Sequence, residues 1–132
     1  MTAILLDTHV WAWSLTGTSL PVTIAESIAA AEAVYVSPIS FFEIGQKVRI
    51  GKWPEMERFV QRLPDVLRDQ GGFVASFTPE IALKAALLDW PHRDPLDRIL
   101  AATCLTENLP IASVDTAFDS CDDDGIRIRR IG

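Results

Sequence analysis

The sequence lacks any apolar run near the ~20 residues that span a bilayer, so a helical membrane protein is excluded. It holds only two cysteines, Cys104 and Cys121, and neither has a CxxC neighbour. A disulfide framework or a zinc site is therefore not expected. The first residues carry no basic cluster and meet an acid at Asp7, unlike a secretory signal peptide, and a cytoplasmic protein is expected. Internal repeats, low-complexity tracts and linkers are also missing, which favours one domain over residues 1–132. A positive surplus is missing too: the net charge is −6, and proteins that grip nucleic acid by charge alone are usually basic.

What is present is ordinary for a soluble globular chain: 48% hydrophobic and 23% charged residues, with enough length for one sizeable core. The charge is unevenly spread. Residues 44–68 hold six basic residues (Lys47, Arg49, Lys52, Arg58, Arg62, Arg68) against three acidic ones (Glu55, Glu57, Asp65). That stretch is +3 in a chain of −6, so the remainder carries −9. A solvated helix surface is the plain reading of such a patch.

The pattern alternates short apolar runs with helical stretches. Residues 3–6 form an unbroken apolar run ending at Asp7, as a strand buried on both faces would. Helices are expected over 9–14 and 23–33, and a second strand over 34–36, ended by Ser37-Pro38. Ser40 and Glu43 have capping-box spacing, which predicts a helix from there to about residue 50, with Gly51 at its end. Residues 54–70 read as helical, with Pro64 as a kink or break. A third strand is expected over 73–77 and a helix over 79–88. Asp94-Pro95-Leu96-Asp97 is a strong helix start, leading to a helix that lasts to about residue 107. Residues 110–114 read as the fourth strand, and residues 126–129 as a last strand at an edge. Strands separated by helices imply an α/β fold with a mainly parallel central sheet of about five strands, flanked by helices.

In such sheets ligands bind outside the carboxyl ends of the strands. Asp7 follows the first strand, Asp115 the fourth, Glu43 the second, and Asp97 opens the helix leading into the fourth. Each has a plain alternative as a helix cap or as a charge favouring a helix N-terminus. Together they are costly: two carboxylates about 4 Å apart repel by roughly 4 kcal/mol at an effective dielectric near 20. A hard cation such as Mg²⁺ or Mn²⁺ would make such a cluster tolerable.

Four stretches carry a family resemblance: Leu5-Leu6-Asp7-Thr8-His9; residues 36–44 around Ser37-Pro38-Ile39-Ser40-Phe41-Phe42-Glu43; residues 92–102 around His92-Arg93-Asp94-Pro95-Leu96-Asp97-Arg98; and residues 111–118 around Ser113-Val114-Asp115. In order and spacing the chain resembles the PIN-domain nucleases, specifically the VapC toxins of bacterial toxin–antitoxin pairs. The resemblance implies a PIN-like three-layer fold and Mg²⁺- or Mn²⁺-dependent hydrolysis of RNA phosphodiesters, in targets such as tRNA or rRNA. It implies a VapB-like antitoxin partner and a homodimer. Carried over by position, Asp7, Glu43 and Asp97 are the principal metal ligands and Asp115 the fourth acid. Thr8, Arg93, Arg98 and Ser113 are candidates for contacting substrate or the carboxylates. Phenylalanine is commoner in that family motif than the Leu96 found here.

Other residues invite weaker readings. His9 and His92 flank the expected rim, and a histidine there can shuttle protons. Arg98 is equally an ion-pair partner for the acids. Trp11, Trp13, Trp53 and Trp90 can stack on bases, although packing or a dimer surface explains each, and most of all Trp11 beside the first strand. Residues 45–53 superficially resemble a P-loop but have Trp53 where a Ser or Thr should hold Mg²⁺. Residues 122–125 resemble a calcium loop but lack its alternating ligands. Two other functions compete: an acidic-pocket phosphoryl-transfer domain, which would want a lysine at a later strand end, and a non-catalytic α/β binding module.

Overall fold

The computed structural model describes residues 2–132. These form seven strands and six α-helices: β1 (Ala3–Leu6), α1 (Thr8–Thr16), α2 (Val22–Ala30), β2 (Ala33–Val36), α3 (Pro38–Arg49), α4 (Leu63–Asp69), β3 (Phe73–Val74), α5 (Pro79–Leu87), α6 (Pro95–Glu107), β4 (Ile111–Ala112), β5 (Asp122–Asp123), β6 (Ile126–Arg127) and β7 (Arg130–Ile131). Five strands make a wholly parallel sheet in the order β3-β2-β1-β4-β7. The α/β sandwich expected from the alternating pattern is thus present.

Side chains alternate across a strand, and β1 uses this to serve two cores. Ile4 and Leu6 face a core shared with Val10 and Trp11 of α1, Ile24 of α2, Ile44 of α3 and Leu67 of α4. Leu5 faces the opposite core, with Leu100 and Cys104 of α6, Trp90 and Phe118. Three layers result, with β1 at the centre. No helix among the described residues is long and apolar enough to cross a membrane.

Three local expectations are corrected. The helix expected to begin at Ser40 begins three residues earlier: Ser37 is its N-cap, its hydroxyl accepting the Ile39 N–H at 3.1 Å, and Pro38 opens the first turn. A proline there loses no helical hydrogen bond. Residues 54–70 are not one helix. Two 3₁₀ turns, Pro54–Met56 and Val60–Arg62, precede α4, which starts beside Pro64. The strand expected over 126–129 is also divided. Ile126–Arg127 folds back on Asp122–Asp123 as an antiparallel hairpin, and Arg130–Ile131 supplies the sheet edge beside β4. Asp124 and Gly125 at the hairpin turn have φ of 52° and 84°, the left-handed pair of a type I′ turn that matches strand twist.

Candidate metal centre

The carboxyl ends of β1 and β4, the starts of α1 and α6 and the middle of α3 converge on a cavity of about 370 Å³. Asp7, Glu43, Asp97 and Asp115 all line it, together with Thr8, His9, Trp13, Lys47, Asp94 and Val114. The four acids singled out from the sequence therefore share one opening, and Asp94 joins them.

Each acid is fixed by a local device. Asp7 ends β1 and caps α1, its Oδ1 accepting the Val10 N–H at 2.8 Å. Asp94 caps α6 through the Leu96 N–H at 2.9 Å. Asp115 caps the 3₁₀ turn Thr116–Ser120 through the Ala117 N–H at 2.9 Å. Glu43 lies in the second turn of α3, not its first, and pairs with Lys47 at 2.9 Å. Asp97 lies in the first turn of α6 and meets His92 Nε2 at 2.7 Å. Caps and cavity are compatible roles, because a cap uses one lone-pair direction of a carboxylate that has about four.

The electrostatics are those of a partly compensated acidic cluster. Burial pushes the Asp7 carboxyl above the usual range; the Ser113 hydroxyl, the Val10 N–H and His9 pull it back, and the Glu43 charge pushes it up again. Asp97 is also raised, first by burial. Its bond to His92 opposes this, while the charges of Asp94 and Asp115 add to it. Like charges and a low-dielectric surround both disfavour the ionised form.

Among the described residues, one set of three offers ligand atoms all within 4.8 Å of one another: His92, Asp94 and Asp97. The wider ring of carboxylates supplies oxygen donors, which suit a hard divalent cation such as Mg²⁺ or Mn²⁺. A cation there would offset the burial that chiefly raises Asp7 and Asp97, and the smaller repulsion from Glu43, Asp94 and Asp115. Donor chemistry and electrostatics therefore both fit a divalent metal.

The other candidates take different places. Thr8 is buried, and its hydroxyl meets that of Ser40 at 2.9 Å, tying α1 to α3. Ser113 is fully buried and accepts the Asp115 N–H at 3.0 Å. Arg93 is exposed and makes no ion pair among the described residues. Arg98, expected on a phosphate or a carboxylate, faces neither. Its guanidinium donates to the carbonyls of Ala85, Ala86, Leu88, Trp90 and His92. Lys47 was not among the expected site residues. The i,i+4 spacing from Glu43 to Lys47 was the available clue, and it places a cation inside the acidic cavity.

A family model described as the PIN domain matches residues 4–124. None of the curated proteins compared matches the chain. Among solved structures, the chain is similar to a chain of a toxin–antitoxin complex from Klebsiella pneumoniae, with 17% identity and a TM-score of 0.59, over 86% of this chain and 87% of that one. The matched span takes in every acid of the cavity and four of the five strands of the parallel sheet, and the chain belongs to the PIN domain family.

Proposed function

We propose that this chain is a Mg²⁺- or Mn²⁺-dependent endoribonuclease toxin of the VapC type, cytoplasmic and neutralised by a VapB-like antitoxin. The observation that carries the reading is the gathering of Asp7, Glu43, Asp97 and Asp115 around one cavity at the carboxyl ends of a parallel sheet. PIN domains are in general metal-dependent nucleases, which supports the chemistry. The toxin–antitoxin complex among similar structures supports the partner. Structured cellular RNA, such as tRNA or rRNA, is the substrate in this reading, and a homodimer its working form.

Asp7, Glu43 and Asp97 would hold the metal, with Asp115 as the fourth acid. A divalent ion there supplies charge neutralisation at phosphorus and activation of water for hydrolysis. The chain's own groups keep the acids aimed. The Val10 N–H fixes one oxygen of Asp7, His92 meets Oδ2 of Asp97, and Ser113 holds the backbone of Asp115. Thr8 acts through the α1–α3 tie and does not contact substrate directly. Arg93, exposed and next to Asp94 in the sequence, is the phosphate ligand of this reading. Arg98 has no such role, since its donors are engaged by carbonyls.

The test is cleavage of total RNA by purified protein free of antitoxin. Cleavage should require Mg²⁺ or Mn²⁺, stop with EDTA, and fall at least about a hundredfold in Asp7→Asn. Cleavage that persists without metal, or in Asp7→Asn, overturns the reading.

A further inference from the structure

The four tryptophans divide into two kinds. Trp11 and Trp90 are 1% and 5% exposed, and their indole N–H groups donate to Gln70 and Ser120. They are spent on the core. Trp13 and Trp53 are only partly buried and line a second cavity, of about 530 Å³. Exposed His9 has its ring centre 5.1 Å from that of Trp53 and 5.9 Å from that of Trp13. Three flat rings therefore cluster at one place on the surface.

This cavity adjoins the carboxylates. Trp13 lines both cavities, and His9 lines the acidic one. Lys47, bonded to Glu43, carries its Nζ 5.3 Å over the Trp53 ring and so links the two. Arg58 lines the aromatic cavity and is exposed; Glu55 is the single acid there. The basic stretch 44–68, a surplus of three positive charges in an acidic chain, therefore includes cations placed beside a ring-lined hollow.

We propose that Trp13 and Trp53, with His9 packed against both rings, form a stacking pocket for one unpaired nucleobase of single-stranded RNA next to the cleaved phosphate, with Arg58 contacting the adjoining phosphate. RNA as the ligand rests on the nuclease reading. The pocket itself rests on the juxtaposition of rings, cations and the carboxylate cavity. Every base has a π-face, so aromatic walls bind bases with little regard to sequence. A hollow of this size lies within the range of small-ligand sites. A nucleotide presents a flat ring and an anion together, and this surface supplies a partner for each. A protein segment would need apolar or acidic anchors instead, and its capture is the rival outcome.

The test is anisotropy with fluorescein-labelled eight-nucleotide single-stranded RNAs, with Ca²⁺ replacing Mg²⁺ so that binding is read without turnover. Trp53→Leu should weaken binding about tenfold, and Trp53→Phe should return it to within about threefold. A single abasic nucleotide, moved along the RNA, should reproduce the loss at one position. That abasic loss should vanish in Trp53→Leu, because both changes remove the same stack. Arg58→Ala, at an exposed position where the guanidinium lies over the Phe59 ring, should weaken binding a fewfold and reduce the salt slope by about one. RNA binding unchanged in Trp53→Leu and Arg58→Ala overturns the pocket. Release of a co-purified antitoxin by Trp53→Leu, with RNA binding unchanged, also overturns it and gives the hollow to the protein partner. The nuclease reading is judged separately by Asp7→Asn. Persistent cleavage in that variant, with RNA binding still sensitive to Trp53, removes the metal centre and leaves the base pocket standing.

Discussion

The two walls of the acidic cavity are built differently. On one side Asp7 and Glu43 are buried among α1 and α3, held by a helix cap, an i,i+4 ion pair and the Thr8–Ser40 hydroxyl contact. On the other side Asp94, Asp97 and Asp115 are more open, and two arginines hold the backbone around them. Arg98 gathers the last carbonyls of α5 and those of the irregular segment that follows, ending at His92, which meets Asp97. Arg130 of β7 donates to the Ser113 carbonyl and grips Asp119 with two nitrogens. The difference has a simple cause. Packed regular helices satisfy their own backbone, so a cap and short side-chain contacts suffice. A helix end and an irregular segment leave carbonyls without partners, and one planar guanidinium with five donors can serve several of them at once.

This contrast can be broken experimentally, and Arg98 is the place to start. Arg98→Met leaves a cluster of carbonyls without a donor and should cost about 3 kcal/mol in urea unfolding, with cleavage reduced because His92 loses its support. A cost below about 1 kcal/mol would show that the open wall does not depend on the arginine. On the buried wall, Thr8→Val or Ser40→Ala should each cost about 1–2 kcal/mol, since the remaining hydroxyl is left buried and unpaired. The double variant should cost less than the sum, and strict additivity in the cycle would deny the contact between them.

A smaller effect should separate the walls by charge. In metal-free protein Asp7→Asn and Asp97→Asn should raise the melting temperature at pH 7, by a few degrees if each change is worth about 1 kcal/mol. Asparagine caps a helix as well as aspartate does, so Asp7→Asn removes the buried charge and keeps the cap. The rise should be larger at Asp7, the more buried of the two. The sign follows from the raised carboxyls of the folded state: their contribution is fully present below the unfolded value of 3.8 and is lost as pH rises through the folded values. Metal-free wild type should therefore lose stability over that rise, while both variants lose less. Added Mg²⁺ should stabilise wild type more than either variant, and equal stabilisation of all three would place the metal elsewhere.

Much of this was legible in the sequence where one local rule acted alone. The run 3–6 ending at Asp7 marked the central strand, and Asp94-Pro95 marked the start of α6. The readings that failed lay where two local rules competed. Ser37-Pro38 and Ser40–Glu43 both spell a helix start. Burial of Ser40 against Thr8, a contact across 32 residues, shows that Ser40 belongs inside the helix. Alternation over 126–129 spelled a strand, but Asp124-Gly125 spelled a tight turn, and the turn set where pairing occurs. Asp7, Asp97 and Asp115 lie at the strand and helix ends where the sequence put them, whereas Glu43 lies deeper in α3 than its capping-box spacing suggested. Arg98 was misplaced because its partners are main-chain carbonyls, which sequence does not distinguish. Trp13 and Trp53 could be told from Trp11 and Trp90 only by burial.

The central position of β1 also sets an order of assembly. Its first neighbour, β2, is made soon after it, but its second, β4, pairs Leu5 with Ile111. On a ribosome that builds from the amino end, β1 must wait with one edge unpaired while most of the chain emerges. Asp115 comes later still, so a nascent chain carries Asp7 and Glu43 long before the cavity has its opposite side. A cavity built this way stays open on one side through most of the chain's synthesis and is complete only once β4 docks beside β1.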